Sequence, residues 1–321
     1  MKKAILVFLV FASLVSYYLL SPHPLAHAPV EFTLEQGSLR HAARKMQEAG
    51  VIGDALPFVM LARIMGKASR IKAGNYELDH PASPLALIEK ITEGDYTQSK
   101  FMLVEGETFK ELRKELDANP DLKHDSENLS DAQIDAALAI PASSPEGLFF
   151  PDTYYFAKGQ SDFSILKRAL ASMEKRMGSA WQKRESGLPF RDPYEALTLA
   201  SVVEKETGKE ADRAMIAAVF INRLRLGMKL QTDPAVIYGL GERFDGNLRK
   251  QDLLTDQPYN TYTRAGLPPT PISMPGQKSI YAVLHPAQTH ALYFVAKGDG
   301  SSIFSNSLAE HNRAVNRYQK K

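Results

Sequence analysis

Lys2 and Lys3 precede an uncharged apolar run, Ala4 to Leu20, and no other feature restricts the folding of this chain so strongly. A run with no polar face reads as a membrane-directed segment rather than as a surface helix. It sits at the short end of the roughly 17–25 residues that cross a bilayer, and it exceeds the roughly 7–15-residue core of a cleaved signal. Ala26-His27-Ala28 has the form of a cleavage site, but Pro29 follows at once, so a retained single-pass anchor is the expectation. Lysines before the run, and no further Lys or Arg until Arg40, place the N-terminus in the cytoplasm and the bulk of the chain outside the inner membrane. The substrate is then extracytoplasmic.

The rest of the 321 residues suffices for two modest domains. With 39 Lys+Arg against 37 Asp+Glu the net charge is +2, a balance that argues against a nucleic-acid partner. The chain has no cysteine, which excludes disulfides, Cys-ligated zinc and thiol catalysis. No cofactor motif is visible. His285 and His290 lack a third ligand at metal spacing, so no metal site is expected.

Residues 21–30, with Pro22, Pro24 and Pro29, read as a linker. A small α/β unit follows. Ser38 caps a helix with Leu39, Ala42, Ala43 and Met46 on one face, a second helix runs from about Ala55 to Met65, Ala73–Leu78 is a strand, and Ser83-Pro84 starts a helix that Gly94 closes. Such a unit either binds glycan or spaces a catalytic part from the membrane. Lys100–Val104 reads as a strand and Thr108–Leu116 as a helix. Residues 117–145 form a polar excursion with one short helix near Ala132–Leu138, and an aromatic strand-like run spans Glu146–Phe156.

Asp192-Pro193-Tyr194-Glu195 is a strong helix start, and Gly208 stops the helix. At about 100° per residue Leu199, Val202, Val203 and Glu206 share a stripe, with Glu204 near its edge. A carboxyl beside Val202 and Val203 gains the raised pKa that a general acid needs. Periodicity alone leaves a solvated helix terminus as the alternative. A second helix runs from Ala211 to Leu226, where Asn222 and Arg223 cap, line a cleft or simply face solvent. Met228–Gln231 can form a strand, and Asp233-Pro234 opens a helix through Leu240 with Asp233 as its cap. Asp233 as a second carboxylate or a sugar-binding group is the other reading. The loop from Pro258 to Pro271 carries Tyr259, Asn260, Thr261 and Tyr262, side chains suited either to sugars or to a rigid connector. A hairpin around Gly298-Asp299-Gly300 and a helix from Leu308 to Tyr318 end the chain.

Glu146-Gly147, Phe150-Pro151-Asp152-Thr153-Tyr154, Ala200 to Thr207, Phe220-Ile221-Asn222-Arg223-Leu224, Leu230-Gln231-Thr232-Asp233-Pro234 and Tyr259-Asn260-Thr261-Tyr262 together resemble the YceG-like endolytic murein transglycosylases. The resemblance implies an α+β protein: a transmembrane anchor over 1–20, a linker over 21–30, a LysM-like domain over 31–97, and a mixed α/β catalytic domain over 98–321 with a lysozyme-like catalytic helix. It implies a lyase without cofactor that cuts the β-1,4 bond between N-acetylmuramic acid and N-acetylglucosamine within peptidoglycan strands. The muramic 6-hydroxyl attacks to give a 1,6-anhydro end, terminating nascent glycan beside the peptidoglycan synthases. Glu206 matches the family's catalytic Glu. Gln231, Asp233, Asn260, Tyr262 and Glu146 are the candidates for holding substrate. A lysozyme-type muramidase, with Asp233 serving a water, and a scaffold that binds peptidoglycan and recruits synthases are the alternatives.

Overall fold

The computed structural model describes residues 6, 9, 10, 13, 16–35, 37–95, 98–140 and 144–319. Much of the expected anchor, including residues 1–5, lies outside them. Among the described residues no helix is long and apolar enough to cross a membrane. The chain divides into two compact units, residues 1–100 with 155–160, and residues 101–154 with 161–321.

In the first unit β1 (Val30–Leu34) pairs antiparallel with β2 (Gly74–Leu78), setting Phe32 opposite Tyr76. Alternation turns Val30, Phe32 and Leu34 inward. Between the strands run α1 (Leu39–Glu48) and α2 (Ala55–Ile64), and α3 (Pro84–Glu93) follows. Ser38, Asp54 and Ser83 cap the three helices, and Gly94, at φ 77°, ends the last in a left-handed turn that a side chain would strain. Met46, Phe58, Tyr76, Leu87, Ile88 and Ile91 are fully buried. The Tyr76 hydroxyl donates to the Lys72 carbonyl at 2.7 Å, so its burial leaves no orphan donor.

β3 (Gln98–Met102) lies two residues ahead of the strand expected at Lys100–Val104, and it pairs with β5 (Thr153–Ala157). Between them α4 (Phe109–Ala118) is held by a Thr108–Glu111 capping box, followed by the short β4 (Leu122–Lys123) and α5 (Asp131–Leu138). Only Thr153–Ala157 of the aromatic Glu146–Phe156 run is a strand, because Pro151 cannot donate to a ladder. After β6 (Gln160–Ser161) comes the longest helix among the described residues, α6 (Asp162–Gln182), which has no counterpart in the sequence reading.

The second unit is centred on α7 (Pro193–Glu206). Asp192 accepts from Glu195 N–H at 2.9 Å and caps it. Every residue from Ala196 to Val203 is buried, so α7 is a core helix rather than a surface helix with one apolar stripe. It packs against α6, α8 (Glu210–Arg225), α9 (Asp233–Leu240) and, after the short α10 (Lys250–Leu254), α11 (Gln277–Leu284). The β7 (Tyr293–Ala296) and β8 (Ser302–Ser305) hairpin and α12 (Leu308–Tyr318) close the unit. Among the described residues every sheet is two-stranded, so this unit is mainly helical, with small strand pairs. Gly147 is required where it stands: at φ 77° a Cβ would lie 2.3 Å from Pro271.

Candidate active site

Glu206 is the last residue of α7, half-buried where the buried helix ends. The Thr232 hydroxyl donates a short hydrogen bond to Glu206 Oε1. Burial raises the carboxyl to about 7, the negative charge of Asp233 adds to the rise, and the Thr232 bond and the charge of Arg223 oppose it. A carboxyl so poised is half protonated near neutrality.

Glu204, two residues earlier, has a different environment. It forms an ion pair with Arg213 at 3.0 Å, the two side chains being 5% and 9% exposed, and its other oxygen accepts from Gly276 N–H at 2.9 Å. It binds elements of the core together, with both oxygens engaged.

Arg223 and Thr261 hold the segment around Thr232 in place. Arg223 is buried, and its guanidinium donates to the carbonyls of Leu292 and Leu230, each at 2.7 Å, and to Lys229 O and Gln231 Oε1, each at 3.3 Å. It therefore neither caps a helix nor faces solvent. Thr261 binds the same segment from the other side: its hydroxyl accepts from Thr232 N–H at 3.0 Å and its carbonyl from Gln231 N–H at 3.1 Å. Under these clamps Met228–Gln231 does not form the expected strand, and Gln231 sits at φ 52°. A left-handed non-glycine residue costs free energy, and such strain persists where surrounding bonds over-determine it, commonly at functional sites.

The cap of α9 is Thr232, not Asp233, and its hydroxyl is committed to Glu206 instead of to the helix. Asp233 is the first helical residue, exposed, and accepts from the Tyr262 hydroxyl at 2.5 Å. Burial and the neighbouring Asp233 hold the Tyr262 phenol protonated far above neutrality. Gln231, Asp233 and Tyr262 thus gather about Thr232, the residue that binds Glu206.

The other two candidates do not. Asn260 is fully buried: its amide donates to the carbonyls of Thr255 at 2.7 Å and of Asp252 and Leu253 at 3.2 Å, and its Oδ1 accepts from Tyr262 N–H at 2.9 Å. It shapes the loop that carries Thr261 and Tyr262, with no donor left for a sugar. Glu146, also buried, accepts from Phe109 N–H at 3.1 Å at the start of α4 and from the Tyr238 hydroxyl at 3.0 Å. Burial raises it to about 7, but every approach is filled by protein. His285 Nε2 lies 3.0 Å from the Lys183 carbonyl.

Glu206, held near neutrality and bonded by the Thr232 hydroxyl, with Gln231, Asp233 and Tyr262 gathered about Thr232, is a group suited to acid/base chemistry. The chain belongs to the YceG-like family, whose model matches residues 32–317. It is 33% identical over 268 residues to the endolytic murein transglycosylase of Bacillus subtilis (strain 168), across 78% of this chain and 74% of that one. With the endolytic murein transglycosylase of Streptococcus pneumoniae serotype 2 it shares 28% identity over 315 residues, 88% of this chain, and it spans about half (56%) of that relative's length. The crystal structure of a yceG-like protein from Listeria monocytogenes matches with a TM-score of 0.55 and 30% identity, over 89% of this chain and 98% of that one.

Proposed function

We propose that this protein is a lyase, an endolytic murein transglycosylase with Glu206 as its acid/base residue. Its membership of the YceG-like family and the names of its relatives support the reading. The observation that carries the site assignment is the environment of Glu206: a partly buried carboxyl near 7 with a single hydroxyl partner.

The β-1,4 bond between N-acetylmuramic acid and N-acetylglucosamine is the bond cut, and one carboxyl serves both halves of the reaction. With Thr232 O–H on Oε1, the proton of the neutral acid resides on Oε2 and passes to the leaving glycosidic oxygen. The resulting carboxylate takes the proton of the muramic 6-hydroxyl as that oxygen bonds to the anomeric carbon. Bonds and protons balance without water, and the product is a 1,6-anhydro end. No second carboxylate is needed, unlike the paired carboxylates of retaining or inverting hydrolases. Gln231, Asp233 and Tyr262 offer acceptors and donors for sugar hydroxyl and N-acetyl groups.

In the cell the apolar run Ala4–Leu20 anchors the chain in the inner membrane, with the catalytic part outside beside the synthases, where internal cuts terminate nascent glycan. The first unit, residues 31–97 of a LysM-like layout, adds contact with glycan or distance from the membrane. Incubation of purified glycan strands with the wild-type protein and with Glu206→Gln tests the assignment. Strand shortening by the wild type alone is expected; shortening by both would remove Glu206 from the reaction, and by neither would favour a binding scaffold.

A further inference from the structure

Leu56, Met60 and Ile64 recur at every fourth position of α2 and are 64%, 55% and 81% exposed. Phe58, Val59 and Ala62 of the same helix lie in the core. A step of four residues turns an α-helix by only about 40°, so the three exposed side chains form one outward stripe. Single exposed apolar residues are ordinary, but an uninterrupted stripe marks an interaction surface. Arg63 stands exposed within it, and Lys67 and Arg70 follow the helix.

Two contacts place the start of α2 beside the end of the membrane-directed segment. The backbone N–H of His23, three residues after the apolar run, donates to the Ala82 carbonyl at 3.0 Å. The His23 ring is so close to Gly53 that a Cβ there would meet it at 3.2 Å. Asp54, the residue after Gly53, caps α2 by accepting from Leu56 N–H at 2.9 Å. The chain just past the run is thus held against Gly53, which lies two residues ahead of α2.

We propose that the outward face of α2 is a lipid-docking surface. Leu56, Met60 and Ile64 enter the headgroup–acyl boundary of the bilayer that holds the Ala4–Leu20 run, and Arg63, Lys67 and Arg70 meet anionic headgroups. An apolar face with basic flanks is the composition of an interfacial helix, which buries about 5–10 Å into that boundary. The proposal rests on reading Ala4–Leu20 as an anchor, and it adds a second contact that fixes the orientation of the first unit against the membrane.

The absence of cysteine makes single labels simple. Met60→Cys and Glu89→Cys, both at exposed positions where a substitution costs little stability, carry a polarity-sensitive fluorophore in the full chain. Each variant is reconstituted in phosphatidylethanolamine/phosphatidylglycerol vesicles with and without lipids bearing a nitroxide near the top of the acyl chain. Both variants are expected to float with the vesicles, with blue-shifted emission at position 60 that nitroxide lipids quench, and aqueous, unquenched emission at position 89. Aqueous emission at position 60 in protein that floats overturns docking while the anchor stands. Equal quenching at both positions overturns the assignment to this face. A blue shift that grows with protein density and resists nitroxide gives the face to a second copy and likewise overturns lipid docking. Protein that does not float removes the anchor and the proposal with it.

Discussion

The last turn of α7 points two carboxylates into two different regions. On one side Glu204 meets a guanidinium and a backbone N–H, so its charge is matched on both oxygens. On the other Glu206 meets one hydroxyl, a distant cation and a like charge. Chain position and side-chain type are nearly the same, and the surroundings decide the role. A matched charge is a fastener; an under-matched one is held near its titration point and can pass a proton. Glu146 extends the lesson, because its titration point is as high as that of Glu206 yet protein fills every approach.

Substitutions that separate these regions test the comparison. Glu206→Gln has the largest expected effect, a loss on the order of 10³-fold in strand cleavage, with the fold retained in circular dichroism. Because burial raises the folded-state pKa of Glu206 from 4.5 to about 7, the folded protein holds this proton more tightly than the unfolded chain does. Its contribution to stability is full below about 4.5, declines as pH rises to 7, and is absent above. Glu206→Gln therefore melts higher than the wild type at pH 8, and the gap narrows at pH 5.

Glu204→Gln breaks a buried pair by removing one partner, which costs about 3–5 kcal/mol. Thermal melting falls, while cleavage per folded molecule stays within a few-fold of wild type; a clean loss of activity with unchanged melting would exchange the roles of the two carboxylates. Asn260→Ala strips several bonds from one loop and lowers stability by about 2–3 kcal/mol. A rise in KM without a change in melting would instead restore Asn260 to the sugar.

Thr232→Val removes a charge-assisted bond and slows cleavage about tenfold. Cleavage by an acid near 7 falls as pH rises through that value, and loss of the Thr232 donor moves this alkaline limb upward, because the bond favours the carboxylate. Asp233→Asn has the smallest effect and the opposite sign: without the neighbouring negative charge the limb moves down. Limbs that stay fixed in both variants would detach the pH profile from Glu206.

Features set by adjacent residues were legible in the sequence. The caps at Ser38, Ser83 and Asp192, and the helices they start, follow from side chains that bond backbone groups two or three positions away. The helix Leu308–Tyr318 and the β7–β8 hairpin were equally plain. α6 went unread although Ile165, Leu166, Ala169, Met173 and Met177 keep helical spacing, for its cap residue Ser161 makes no side-chain cap bond and the start is unmarked. Features set by distant residues were hidden. Asp-Pro usually marks a cap and N1, but Thr232 is pulled out of sequence logic by Glu206, 26 residues away. Asn260 looked like a sugar contact because its amide is suited to one, and only the fold shows three carbonyls consuming it. The role of Arg223 depends on the carbonyl of Leu292, just before β7, and on those of the Lys229–Leu230 segment, for which the sequence has no local sign.

The most direct test of the central claim is mass spectrometry of the ends formed when residues 30–321 act on purified peptidoglycan strands, beside the same protein carrying Glu206→Gln. Internal fragments ending in 1,6-anhydro-muramic acid, absent with the variant, are the result predicted. Reducing ends would contradict it by making water the nucleophile.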